Sequence, residues 1–75
     1  MQVSVDIVLL DVIMPGIDGF EVLKRLRTFM QLPVIAFSAS SENQDEALRL
    51  GANDFMHKPF DLDEMARRIW VLLPH

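Results

Sequence analysis

The sequence predicts an α/β domain of three strand–helix units, (βα)3, in which three parallel strands lie in chain order. Short strand-like runs that each end near a polar residue support this: Asp6–Leu10, Val34–Phe37 and Asp54–Met56. Each run precedes a segment of helical pattern, at about Phe20–Phe29, Glu42–Leu50 and Leu62–Leu72. Strands that alternate with helices favour a parallel sheet with right-handed crossovers.

The first strand leads to an acidic residue and then to a turn. Asp11 follows an apolar run directly, and Pro15-Gly16 is a turn signal because proline fixes φ and glycine accepts positive φ. Asp18 is placed to cap the following helix. In a parallel sheet the carboxyl ends of the strands face the ligand crevice, so Asp11 is a candidate nucleophile or metal ligand. The alternative is an aspartate that only caps the turn.

Capping signals mark the other two helices. Ser41 and Gln44 have the spacing of a capping box, and Gly51 stands where a helix ends in a positive-φ glycine. Asp61, with Glu64 three residues later, predicts a second capping box at the start of the last helix.

Composition limits the chain to one small domain that favours a partner. A domain of 75 residues buries only about 60% of the surface of its unfolded chain. Yet 51% of the residues are apolar, mean hydropathy is +0.23, and no cysteine offers a disulfide. This excess predicts apolar surface that another chain covers.

Charge and hydropathy exclude other partners. A net charge of −4 and a pI near 4.8 argue against nucleic-acid binding, which needs a basic face. The apolar runs are far shorter than the roughly 20 residues that span a bilayer, so no membrane partner is expected. Met1–Val5 lack a basic leader region, and the simplest expectation is a cytoplasmic protein.

Three segments, taken in order, resemble one family. The segment from Leu9 to Gly19 looks like the phosphoacceptor region of response-regulator receiver domains. The segment from Pro33 to Ala39 resembles the family's fourth strand, which ends in a hydroxyl residue followed by a small one. The segment from Gly51 to Phe60 resembles its fifth strand with the Lys-Pro signature. The likeness runs from Asp6 to Leu73.

The resemblance implies a partial domain. Residues 1–75 correspond to the third to fifth of the five strand–helix units of a receiver, half of its flavodoxin-like fold. The family's acidic metal-binding pair belongs to the first strand, and only Met1–Val5 precede the strand here. The sequence is compatible with three origins of this chain: a natural half-domain, a trimmed piece of a longer protein, or a designed fragment.

The resemblance also assigns the site. It implies Asp11 as phosphoacceptor, Lys58 as the lysine of the site, Ser38 as the switch hydroxyl and Phe55 as the switch aromatic. Magnesium is the family's cofactor. Asp11 and the backbone carbonyl of Ile13 would hold it here, an incomplete site because Mg²⁺ wants octahedral oxygen ligands.

Each of these residues has a simpler alternative. Lys58 would be a solvated lysine, Ser38 part of a serine capping cluster, and Phe55 a half-buried strand aromatic. The Lys58-Pro59 bond resembles the family's cis peptide. His57 has no second histidine or cysteine at ligand spacing, and it is predicted to be a surface residue. Trp70 is predicted to be partly exposed on the last helix.

The favoured function is therefore not enzymatic. The chain is expected to be the phosphoacceptor receiver module of a two-component phosphorelay, served by a histidine kinase or phosphotransfer protein and impaired because the acidic pair is absent. The alternative is a half-receiver that is not phosphorylated and self-associates as a structural or binding fragment. A haloacid-dehalogenase-like phosphatase is disfavoured, since it needs a second aspartate where Ile13 stands.

The expected partner is a second copy. The strand Asp6–Leu10 would lie at an open sheet edge beside the absent first strand, and such an edge is a template for pairing. A two-fold homodimer through this edge is the simplest closed arrangement.

Overall fold

The computed structural model describes residues 2–3 and 6–74. The strands are β1 (Gln2–Val3), β2 (Val8–Asp11), β3 (Ile13–Met14), β4 (Ile17–Asp18), β5 (Val34–Ser38) and β6 (Asp54–His57). The helices are α1 (Gly19–Leu26), α2 (Asn43–Arg49) and α3 (Leu62–Leu72). The predicted absence of a basic leader concerns Met1–Val5, and of this segment the structure describes Gln2 and Val3.

The main sheet confirms the predicted α/β architecture. β2, β5 and β6 are parallel and neighbour one another in chain order. Each strand ends one residue later than predicted, at Asp11, Ser38 and His57. The reason is the register: Asp11 lies opposite Phe37 and Ser38 opposite His57, so the ladder continues through the polar residues.

The outer edge of β2 is not fully open, and this corrects the prediction made for Asp6–Leu10. β1 pairs with it in antiparallel fashion, with Gln2 opposite Leu9 and Val3 opposite Val8. The short segment before β2 folds back because backbone groups at a sheet edge need partners. Asp6 and Ile7 lie before the strand.

A small hairpin follows β2. β3 and β4 pair in antiparallel fashion around the predicted Pro15-Gly16 turn, and Gly16 has a φ of 73°. Gly19, the first residue of α1, is required for another reason. A Cβ there would lie 2.3 Å from the Cα of Val12, so helix and strand end are packed backbone to backbone.

Two of the three predicted helix starts are confirmed. Asp18 accepts hydrogen bonds from the amides of Phe20 and Glu21, and Asp61 accepts one from Asp63. The capping box predicted for Asp61 is confirmed only in this half, since the Glu64 carboxylate accepts from Arg67 and Arg68. The capping box at Ser41 is wrong, since α2 begins after Glu42 with no side-chain cap. Among the described residues, no helix combines the length and the apolar content that a membrane crossing requires.

The core has two parts, one on each face of the sheet. α1 and α2 cover the first face, where Val8, Leu10, Val34, Ala36 and Phe55 pack against Leu23, Leu26 and Ala47. Among the described residues, α3 is the helix that covers the second face, where Met65 packs with Ile7, Ile35 and Met56. Leu9 and Phe37 on this second face remain only half-buried.

One arginine ties the amino end of the sheet together. The Arg27 guanidinium donates to the carbonyl of Gly51 at 2.8 and 3.0 Å and to that of Leu32 at 2.8 Å. It also donates to Oδ1 of Asn53 at 2.8 Å, and the same oxygen accepts from the amide of Val34. This network joins the end of α1 to the starts of β5 and β6.

Candidate functional site at the carboxyl edge of the sheet

The parallel strands bring three polar side chains to one edge. Asp11 is the last residue of β2, Ser38 is the last of β5, and Lys58 follows β6 directly. The amide of Lys58 donates to the carbonyl of Ser38 at 2.7 Å, which fixes the chain as it leaves the sheet. The sequence pattern placed these residues together, and the structure agrees.

Asp11 and Lys58 form a direct ion pair. The Nζ of Lys58 lies 2.6 Å from Oδ2 of Asp11, and the two side chains are 39% and 19% exposed. The other oxygen, Oδ1, accepts a hydrogen bond from the amide of Ile13 at 3.0 Å. The ammonium also lies 5.1 Å from the centre of the Phe37 ring, a favourable cation–π distance. Lys58 is therefore aimed at the carboxylate and is not a freely solvated lysine.

Ser38 is held by the loop that leads to α2. Its side chain is fully buried, and its Oγ accepts hydrogen bonds from the amide of Ser40 at 3.1 Å and from Nδ2 of Asn43 at 2.7 Å. Sequence reasoning missed Asn43, which it treated only as part of a capping box. The signal available was a carboxamide five residues after a strand-end hydroxyl, which is too common to single out.

The remaining predicted residues fall in three different settings. Phe55 is only 6% exposed and packs in the core beneath α1 and α2, so the description of it as half-buried is wrong. His57 is exposed, and Trp70 is 64% exposed on α3, as predicted. The Lys58-Pro59 peptide is cis, as the resemblance implied.

The side chains present do not by themselves fit a magnesium ion. Both oxygens of Asp11 already have protein partners, Ile13 and Lys58. Within residues 6–74 no group of three or more acidic, histidine or cysteine side chains comes together. Since Mg²⁺ is bound through one or two carboxylates in an octahedral oxygen shell, one engaged carboxylate is a poor site.

A parallel sheet with helices on both faces and with a carboxylate, an ammonium and a buried hydroxyl at its carboxyl edge is an α/β fold of the flavodoxin-like class. The sequence model of the response regulator receiver domain family matches residues 1–70, and the chain belongs to this family.

Curated relatives agree. The chain is 44% identical over 74 residues to the response regulator GtcR of Aneurinibacillus migulanus, a match that spans 96% of this chain and 31% of that protein. It is 48% identical over 73 residues to the protein-glutamate methylesterase/protein-glutamine glutaminase of Trichodesmium erythraeum, spanning 91% of this chain and 21% of that protein. The chain thus spans about a third or less of these relatives.

Solved receiver structures are similar in fold. The N-terminal domain of the nisin resistance regulator NsrR superposes with a TM-score of 0.83 at 32% identity, covering 92% of this chain and 61% of that one. The BeF3-activated receiver domain of Klebsiella pneumoniae RstA gives 0.82 at 30% identity, covering 93% and 62%. The chain therefore spans about three fifths of these solved chains.

Proposed function

We propose that these 75 residues are the third to fifth strand–helix units of a receiver domain and that Asp11 is its phosphoacceptor in a cytoplasmic two-component phosphorelay. The observation that carries this proposal is the ion pair between Asp11 and Lys58 at the carboxyl edge. A lysine held 2.6 Å from a carboxylate is placed to neutralise the charge that arrives when that carboxylate is phosphorylated.

The proposed reaction uses Asp11, Lys58 and Ser38 in turn. An oxygen of Asp11 attacks the phosphorus of a phosphohistidine on a kinase or phosphotransfer protein, a P–O bond forms, and the P–N bond breaks with its electrons returning to the imidazole. Lys58 then pairs with the phosphoryl oxygens. Ser38 donates its hydroxyl proton to one of them, and Phe55 moves with Ser38 as the switch aromatic. The module accepts a group and catalyses no turnover of its own.

The described residues do not by themselves complete a site for the Mg²⁺ that phosphoryl transfer would use. When bound, Mg²⁺ would neutralise the phosphoryl charge, with Asp11 and the Ile13 carbonyl among its ligands. Because the described residues supply one engaged carboxylate, we propose that this chain alone takes up a phosphoryl group weakly or not at all. Acidic residues that lie outside these 75 residues would then complete the site.

Phosphorylation of Asp11 can be tested with acetyl phosphate and Mg²⁺, followed by intact-mass measurement and peptide mapping. We expect little modification, all of it on Asp11 and absent in Asp11→Asn. Asp18→Asn is the matched control because Asp18 is exposed and asparagine caps a helix equally well. Stoichiometric Mg²⁺-dependent labelling would contradict the proposed impairment. Labelling that persists in Asp11→Asn would contradict the assignment of the phosphoacceptor.

The second candidate function is a half-receiver that is not phosphorylated and self-associates. Its support is the second face of the sheet, which α3 covers in the part of the chain that the structure describes and on which Leu9 and Phe37 stay half-buried. Among the described residues, β1 pairs with β2 at Val8 and Leu9, and a second copy would pair with β2 beyond these two positions.

This homodimer needs a test that spares the core. Val8 and Leu10 are fully buried inside the chain, so lysine there would unfold a monomer and a dimer alike. Leu9→Lys is the better probe, with Leu48→Lys as control because Leu48 is 40% exposed on α2. Sedimentation velocity should show a dimer that Leu9→Lys alone dissociates. A folded wild-type monomer at micromolar concentration would rule the dimer out.

A further inference from the structure

The hydroxyl of Ser38 is held by two donors from the connection between β5 and α2. Its oxygen accepts from the Ser40 amide and from Nδ2 of Asn43, and the side chain has no exposed surface. A serine oxygen has two lone pairs, so these two bonds leave only its own proton for a further interaction. The direction of that proton is therefore set by the loop.

Asn43 is the part of this arrangement that belongs to a helix. It is the first residue of α2, and the residue before it, Glu42, makes no side-chain cap. Instead, Ser40 donates its hydroxyl to Glu42, and the Asn43 carboxamide reaches back to the end of β5. The start of α2 is thereby joined to Ser38 by the shorter of the two bonds on its oxygen.

We infer that Asn43 is a positioning residue that holds the Ser38 hydroxyl in the β5–α2 connection and so competes with a phosphoryl group on Asp11 for it. In this arrangement Asp11 takes its hydrogen bonds from Ile13 and Lys58, while Ser38 takes its own from Ser40 and Asn43. The inferred competition is that the hydroxyl turns when it donates toward Asp11, so that the bond it accepts from Asn43 is lost. The role in phosphorylation rests on the proposed function, whereas the hold on Ser38 does not.

The hold can be measured without phosphorylation, by hydrogen exchange of the Ser40 amide. Asn43→Ala should speed this exchange about fivefold, the factor that one ordinary hydrogen bond is worth, while the Ala36 amide in the core strand is unchanged. In a Ser38→Ala background the same substitution should add nothing. Asn43→Asp should restore slow exchange because the carboxylate accepts the Ser38 proton. Gln44→Ala, at the next and exposed position, is the control.

Three results of the exchange measurement at the Ser40 amide would overturn the inference that Asn43 holds Ser38. They are unchanged Ser40 exchange in Asn43→Ala, an equal acceleration in the Ser38→Ala background, or an equal effect of Gln44→Ala. A parallel change at Ala36 would mean that the helix start is merely destabilised, and this also overturns the inference.

The competition is tested by phosphorylation under the conditions given above. We expect Asn43→Ala to raise the phosphorylated fraction several-fold where Ser38 is present and to leave it unchanged in Ser38→Ala. The competition is overturned if Asn43→Ala changes the phosphorylated fraction by the same factor with Ser38 present as in the Ser38→Ala background. If neither the wild type nor any variant takes up a phosphoryl group, the proposed function fails, and the Ser40 exchange cycle alone decides whether Asn43 holds Ser38.

Discussion

Replacing Gly19 by alanine is expected to destabilise the chain and disturb the site together. The added Cβ would lie 2.3 Å from Cα and 2.6 Å from the carbonyl oxygen of Val12. Both are backbone atoms that cannot rotate away, so α1 must move. That movement also strains the hydrogen bond from the Gly19 amide to the Val12 carbonyl, now 3.2 Å.

The size of the effect follows from three contributions. Overpacking against fixed atoms costs up to about 3 kcal/mol, and the strained hydrogen bond about 1 kcal/mol more. Alanine is the better helix former by about 1 kcal/mol, which offsets part of this loss. The free energy of unfolding should fall by about 3 kcal/mol. For a domain of this size that lowers Tm by roughly 12–24 °C.

Urea unfolding followed by circular dichroism measures the change. Gly16→Ala is the matched control. It forces alanine to a φ of 73°, yet nothing lies within 4 Å of its Cβ, so only about 1–2 kcal/mol of backbone strain is expected. The Ile13 amide, bonded to Asp11, should shift its NMR resonance only in Gly19→Ala. A loss no larger than that of Gly16→Ala, with an unmoved Ile13 resonance, would refute the close approach to Val12.

Two further predictions concern the core and acid stability. Leu23→Ala should lower the free energy of unfolding by about 2–5 kcal/mol because Leu23 is fully buried, whereas Leu62→Ala, at a 78% exposed position, should stay within about 0.5 kcal/mol in the same denaturation assay. Hydrogen bonds from Arg67 and then Arg68 lower the pKa of Glu64 below its ordinary value of 4.5. Its stabilisation is therefore complete above pH 4.5 and lost as pH falls through the lowered pKa. Glu64→Gln should narrow the difference in urea midpoint between neutral and acidic solution, and an unchanged difference would count against this ion pair.

Much of the fold could be predicted because its signals are local. Apolar runs marked the three parallel strands, and Asp18 and Asp61 each capped a helix within a few residues. Ser41 did not, since the start of α2 is arranged around a buried hydroxyl that only the folded chain shows. The return of β1 onto β2 was also missed because a two-residue strand has no periodicity to detect.

The meeting of the site residues at the carboxyl edge of the sheet could be predicted from the sequence, and the hydrogen bonds between them could not. Asp11, Ser38 and Lys58 were found because each follows a strand that the topology aligns. Asn43 and the burial of Phe55 depend on distances between elements, and a sequence pattern does not contain them.

The Arg27 network makes the two ends of the sheet mechanically unlike. At the amino end, the planar guanidinium of Arg27 donates hydrogen bonds to oxygens of Gly51, Leu32 and Asn53. A lysine, with its single ammonium group, would not make the same set of bonds. At the other end, the bonds among the described residues include the ion pair of Lys58 and Asp11, two bonds to the Ser38 hydroxyl and the backbone bond from Lys58 to Ser38. A change in charge or hydrogen bonding at Asp11 would then act first on the loops at the carboxyl edge of the sheet. We expect the strand starts that Arg27 joins to keep their register while these loops move.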